Sequence, residues 1–168
     1  MTALVVYESF WGNTAAIARA IADGIGDARA MTTDEATPEL VATTDLVVVG
    51  APILGFQLPT EDMRTSLPAQ HGAPGPADIS HPSMRAWLDA LPPGQGACAT
   101  FETRISWSPG SSAKAIEKAL TSAGFTAIAP VGKFIVAGKY GPLKDGELER
   151  ARAWGRELAN RVPVPRIG

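Results

Sequence analysis

Short apolar strands alternate with amphipathic helices along this 168-residue chain, which predicts an α/β fold: an open, doubly wound parallel sheet with helices on both faces. Three observations carry the prediction. The run Leu46-Val47-Val48-Val49-Gly50 is apolar throughout, as a central strand buried on both faces must be. A second apolar run, Ala3 to Tyr7, passes through the small-residue turn Glu8 to Thr14 directly into the helix-patterned run Ala15 to Ile25. A content of 45% hydrophobic and 19% charged residues gives 168 residues a sizeable core, so one domain over 1–168 is expected.

Each element follows from local chemistry. Strand one is Ala3 to Tyr7. Its helix sets Thr14, Ile17, Ala18, Ile21 and Ile25 at helical spacing and ends near Gly24 and Gly26, which suit a C-terminal cap. Asp27 to Met31 reads as a short second strand, and Thr37-Pro38-Glu39 opens a brief helix with Thr37 as N-cap. After the central strand at Leu46 to Gly50, residues 56–80 form a Pro- and Gly-rich surface excursion containing Pro59, Pro68, Pro74 and Pro76, with one helical turn at Thr60 to Ser66. Met84, Trp87, Leu88 and Leu91 then make a helical stripe stopped by Pro92-Pro93-Gly94. Ala97 to Glu102 is strand four. Ser111 or Ser112 caps a helix carrying Ile116, Ala119, Leu120 and Ala123 on one face. An interrupted fifth strand lies within Phe125 to Val136. The last helix starts near Asp145 and is expected to bury Leu148, Ala151, Trp154 and Leu158, before a loose tail at 162–168 marked by Pro163 and Pro165.

Charge excludes some partners. Fifteen basic against 17 acidic residues give a net charge of -2, which makes no electrostatic case for nucleic acid or an anionic membrane. The single cysteine, Cys98, sits in the apolar run Ala97 to Phe101 and reads as a small core residue. With no basic start followed by a long apolar stretch, the expected setting is soluble, reducing and cytoplasmic.

In a parallel sheet of this kind ligands bind beyond the carboxyl ends of the strands, and three loops meet there. Glu8 to Thr14 precedes a helix whose first N–H groups have no internal partner and attract an anion. Ser9, Asn13 and Thr14 add side-chain donors, and Gly12 allows close backbone approach. Ala51 to Phe56 is apolar, with a flexible Gly55. Thr103 to Gly110 offers the flat ring of Trp107 beside hydroxyls, although Trp107 equally suits a loop anchor. Phosphate at one end and a planar apolar ring at the other is what the trio invites.

Here the chain resembles the flavodoxins and flavodoxin-like FMN proteins. The likeness rests on Ser9-Phe10-Trp11-Gly12-Asn13-Thr14 as a phosphate loop, Val47 to Gly55, Phe101-Glu102-Thr103-Arg104, Gly110-Ser111-Ser112-Ala113-Lys114 and Gly141-Pro142-Leu143, in that order. The resemblance implies a five-stranded sheet of order 2-1-3-4-5 holding FMN non-covalently. It implies that Ser9, Gly12, Asn13 and Thr14 hold the phosphate, with Phe10 and Trp11 giving backbone N–H groups. Ala51, Pro52, Ile53, Leu54 and Gly55 would line one face of the flavin ring, Gly55 adjusting hydrogen bonding at its N5. Thr103, Arg104 and Trp107 would border the other face. Two features depart from the family pattern: Trp11 stands where many members carry a hydroxyl residue, and the chain is nearly neutral where shuttle flavodoxins are strongly acidic.

The function expected is electron transfer through FMN to a redox partner protein. The alternatives are an FMN reductase taking a small quinone or nicotinamide, and a binding module that has lost the cofactor. Other chemistries lack their motifs. The turn after strand one has neither GxxxxGK[ST] nor GxGxxG, no G-x-S-x-G occurs, and a phosphate-receiver domain would need an Asp after strand three. His71, His81 and Asp78 have no recognised metal-ligand spacing and read as solvated loop residues.

Overall fold

The computed structural model describes residues 1–67 and 72–164. In chain order it contains β1 (Ala3–Tyr7), α1 (Asn13–Ile25), β2 (Ala28–Thr32), α2 (Pro38–Ala42), β3 (Leu46–Pro52) and α3 (Glu61–Ser66). These are followed by α4 (Met84–Asp89), β4 (Ala97–Ile105), α5 (Ala113–Ser122), β5 (Thr126–Ala127), β6 (Gly132–Val136) and α6 (Glu147–Arg161). The strands pair in parallel in the expected order, β2-β1-β3-β4-β5, and β6 also pairs with β4.

Period-2 alternation sorts the strand side chains between two layers. Ala3, Val5, Leu46, Val48, Ala99 and Phe101 pack with Ile17 and Ile21 of α1 and Leu158 of α6. Leu4, Val6, Val47, Val49 and Cys98 pack on the opposite face with Val41, Met84, Trp87, Ile116 and Leu120 from α2, α4 and α5. The interrupted fifth strand is two segments along one edge: β5 pairs with Ala97 and Cys98, and β6 with Phe101 to Ile105. Pro130, which has no N–H to give a ladder, lies between them.

Several local expectations hold. Thr37 accepts the Leu40 N–H with Pro38 in the first turn, and the helical turn expected within Thr60 to Ser66 forms as α3. At α5 the two serines divide the work: Ser111 Oγ accepts the Lys114 N–H, while Ser112 Oγ donates to the Ala51 carbonyl. Other expectations need correction. Gly26 caps α1 with φ 96°, whereas Gly24 lies inside the helix, where an added Cβ would meet Arg152 O at 2.0 Å. Gly155 of α6 answers it, its Cβ position lying 2.3 Å from Ile21 O, so this pair of glycines sets how closely α1 and α6 cross. Leu148 is exposed, because Glu147 takes the buried position and accepts the Ile135 N–H at 2.7 Å. Strands β3 and β4 continue past Gly50 and Glu102, so Ala51, Pro52, Thr103 and Arg104 are strand residues. Pro68 and His71 of the excursion and Pro165 of the tail lie outside the described residues.

Candidate functional site

The ends of β1, β3, β4 and β6 converge on one cavity of about 280 Å³. Its floor begins where Glu8 N–H continues the sheet ladder onto Gly50 O and the chain then turns into α1. Gly12, with φ 97°, makes that turn, and an added Cβ there would meet nothing within 4 Å. Ser9 Oγ accepts the Gly12 N–H at 3.2 Å. Among the described residues, the backbone N–H groups of Phe10, Trp11, Asn13 and Thr14 donate to no protein acceptor. They are the orphan donors of a helix start, and Ser9, Phe10, Trp11, Asn13 and Thr14 all line the cavity.

The side chains of this turn also tie it to the rest of the site. Thr14 Oγ1 and Thr103 Oγ1 lie 2.7 Å apart in a buried hydroxyl pair that joins α1 to β4. Asn13 Nδ2 donates to the Tyr140 carbonyl at 3.1 Å, and the Tyr140 ring stands edge-on to Trp11 with centroids 4.6 Å apart. Phe10 is buried with Leu67 and Ala77, its carbonyl accepting the Asp78 N–H at 2.8 Å, while Trp11 Nε1 donates to Gly75 O. The excursion therefore folds back beneath the phosphate-loop-like turn.

The two remaining walls form one rim. Leu54 and Gln57 exchange both backbone hydrogen bonds around Gly55 and Phe56, whose φ values of 57° and 67° are both positive, as a primed two-residue turn requires. Phe56 adopts this conformation without being glycine, and its ring is exposed at the tip. Against it lies Gly110, whose Cβ position falls 1.8 Å from Phe56 O, and Gln57 bridges to Ser111. Fully buried Glu102 organises the third loop: it accepts from Ser111 Oγ and Ala113 N and pairs with Arg104 at 2.7 Å. The Arg104 guanidinium also donates to the carbonyls of Ser108 and Gly110, so it braces the loop that carries Trp107. Trp107 is 75% exposed, which excludes the loop-anchor reading.

Of the site residues expected from sequence, the cavity collects Ser9, Phe10, Trp11, Asn13, Thr14, Pro52, Ile53, Leu54, Gly55, Thr103, Arg104 and Trp107. Gly12 shapes the turn but does not line the cavity. Ala51 is fully buried within β3, its carbonyl taken by Ser112, so it does not face the cavity as expected. Phe56, Ile105 and Ser108 also line the cavity; they lie in the expected loops but were not singled out from sequence. Sequence reasoning missed Val136 and Lys139. Val136 and Lys139 come from the end of β6, and only the order of strands brings them there.

Two charged clusters lie outside the cavity lining. Glu8 is buried, with Oε2 3.1 Å from Arg64 Nε and accepting the Met84 N–H at 3.2 Å, while among the described residues Oε1 has no hydrogen-bond partner. Burial outweighs the Met84 hydrogen bond and the Arg64 charge and pushes the Glu8 carboxyl up to about 7. His81, expected to be solvated, instead bridges two carboxylates, Nδ1 2.9 Å from Asp34 and Nε2 3.3 Å from Asp78. Cys98 is buried in the core, and that burial pushes its thiol up to about 11.

No family model matches the chain, and no curated protein matches it in sequence. Solved structures do. The chain is similar to a flavodoxin from the domain Archaea at 23% identity and a TM-score of 0.69, covering 96% of this chain and 99% of that one. It is similar to oxidised Flavodoxin 1 from Bacillus cereus at 16% identity and a TM-score of 0.69, covering 97% and 100%. A third likeness is to the Flv1 flavodiiron core from Synechocystis sp. PCC6803, at 21% identity and a TM-score of 0.64 over 96% of this chain but 36% of that one. These likenesses show the flavodoxin fold.

Proposed function

We propose that this chain of flavodoxin fold holds FMN without a covalent bond and passes electrons through it to a partner. The observation that carries the reading is a single cavity joining four uncommitted backbone N–H groups at a helix start to a rim bearing two exposed aromatic rings. The residues present fit such a group. Ser9, Asn13 and Thr14 with the N–H groups of Phe10 and Trp11 would hold the phosphate by backbone dipole and hydrogen bonds, Gly12 keeping the turn free of a side chain. Pro52 to Phe56 on one side, and Thr103, Arg104 and Trp107 on the other, would border the ring.

Bound FMN supplies the electron chemistry itself, accepting and returning electrons at its ring. The chain binds and orients it, and the braced rim leaves little to reorganise on electron transfer. The cavity, about 280 Å³, lies just below the range of about 300–1,000 Å³ typical of ligand pockets, so a bound flavin would keep part of its ring at the surface, where a partner can dock. We propose a cytoplasmic setting and a redox partner protein. Among the described residues no helix is long and apolar enough to cross a membrane.

Titrating FMN into the purified protein and following flavin fluorescence and the visible spectrum tests the reading. Saturable binding supports it, and a protein that stays colourless after refolding with FMN leaves only a binding module. Steady-state consumption of NAD(P)H with a quinone by the protein alone would replace the carrier with a reductase. The double substitution Asn13→Ala and Thr14→Ala is expected to weaken FMN binding at least about tenfold, a loss of roughly 1.4 kcal/mol. Unchanged affinity would refute the placement of the phosphate.

A further inference from the structure

We infer that the hydroxyl pair of Thr14 and Thr103 reads the linker of the bound molecule. The pair hydrogen-bonds a hydroxyl group on the chain joining phosphate to ring, and so selects a flavin phosphate with a hydroxylated linker over one whose linker is plain hydrocarbon. The inference rests on the FMN reading above and adds to it a subsite between the two ends of the cavity.

Thr103 is where the parts of the site meet. Its Oγ1 lies 2.7 Å from Thr14 Oγ1 at the start of α1, its carbonyl accepts the Ile53 N–H at 3.0 Å, and it pairs with Pro52 in the ladder. From it the chain runs on through Arg104 to Trp107. Thr14 belongs to the phosphate end and Pro52, Ile53 and Arg104 to the ring end, so a ligand reaching from the helix start to the rim crosses the pair. Both threonines line the cavity, and with 2% and 3% exposure both are almost fully buried. Two hydroxyls carry two protons, and the bond between them uses one. Among the described residues neither oxygen has another partner. One O–H and spare lone pairs are therefore left over on the cavity wall. A hydrocarbon linker leaves that donor unpaired, whereas a linker hydroxyl accepts from it. Of the other hydroxyls lining the cavity, Ser9 belongs to the phosphate turn and Ser108 donates to Pro109 O at 3.2 Å. Thr14 thus serves two ends: its N–H stays open to the phosphate while its hydroxyl is committed to β4.

The test compares FMN with a synthetic analogue that keeps the ring and the terminal phosphate but joins them by an unsubstituted pentyl chain. Dissociation constants for both are measured by fluorescence quenching on the wild type, on Thr14→Val with Thr103→Val, and on Thr14→Ser with Thr103→Ser. Replacing both partners of a buried pair by apolar groups of the same shape is close to neutral for folding, so the valine variant is expected to stay folded. The wild type is expected to bind FMN at least about threefold more tightly than the analogue, the valine variant to lose that preference and the serine variant to keep it. A wild type that binds both ligands equally overturns the inference, whatever the variants do. A valine variant that keeps the wild-type preference overturns it too, as does one that weakens both ligands alike, which makes the pair a strut between α1 and β4. All three results leave the FMN reading standing. A wild type that binds neither ligand defeats that reading and this inference with it.

Discussion

Glu8 is the residue whose perturbation is most informative. Its carboxyl is buried between α3 and α4, faces Arg64 at 3.1 Å and is pushed from 4.5 up to about 7, chiefly by burial. A carboxyl whose folded value is raised binds its proton more tightly in the folded state. Below about pH 4.5 it is protonated in both states and contributes no slope. Between 4.5 and 7 the unfolded chain ionises first, so stability falls as pH rises, and above 7 the loss is complete. A displacement from 4.5 to about 7 corresponds to roughly 3 kcal/mol.

Glu8→Gln keeps an acceptor for the Met84 N–H and abolishes the titration. Its absolute stability also reflects an Arg64 deprived of one partner, so the measured quantity is the change between pH 5 and pH 8. Urea unfolding at the two pH values gives that change for each protein. The wild type is expected to lose roughly 2–3 kcal/mol more than Glu8→Gln over the interval. Asp34, Glu35, Asp45, Glu61, Asp78 and Glu147 are all held below their ordinary values by hydrogen bonds. Their contributions are lost only as pH falls below this window. If the wild type instead gains stability relative to Glu8→Gln on going to pH 8, the attraction of Arg64 exceeds the cost of burial and the reasoning fails. Equal slopes would refute it too.

Two further perturbations read the packing. Gly110→Ala places a methyl group against Phe56 O in a backbone conformation with φ 84°, which is expected to cost at least about 2 kcal/mol. It should also weaken flavin binding by separating the rim, and an unchanged melting curve would refute the close contact. Gly155→Ala drives α6 from α1 and is expected to cost about 1–3 kcal/mol in urea unfolding with little effect on flavin affinity, since the crossing lies away from the cavity. A neutral result would mean that the helices slide apart freely.

The layers of the fold were legible because they depend on local periodicity. Leu4 and Val6 against Ala3 and Val5, or Val47 and Val49 against Leu46 and Val48, divide between the two faces by alternation alone. Thr37 and Gly26 act through neighbours a few residues away, and their roles could be read there. Strand ends were harder: Ala51-Pro52 and Thr103-Arg104-Ile105 lack a continuous apolar signature, yet pairing with each other and with β6 extends both strands. Gly24 carries the signal of a helix end, but the backbone of α6, far away in sequence, decides its use. At the start of α6 the stripe admits either Glu147 or Leu148 inward, and the unpaired Ile135 N–H selects the carboxylate. Lys139 had no local signal, since Ala137-Gly138-Lys139-Tyr140 carries no motif of its own.

The bond from Asn13 to Tyr140 spans 127 positions of the chain. A nascent polypeptide leaving the ribosome would thus expose its opening turn long before the segment that completes the pocket has been synthesised. On the FMN reading proposed above, loading with the flavin is a late, post-synthetic event, and shortening the protein from its far end would erase a site whose first half is already made.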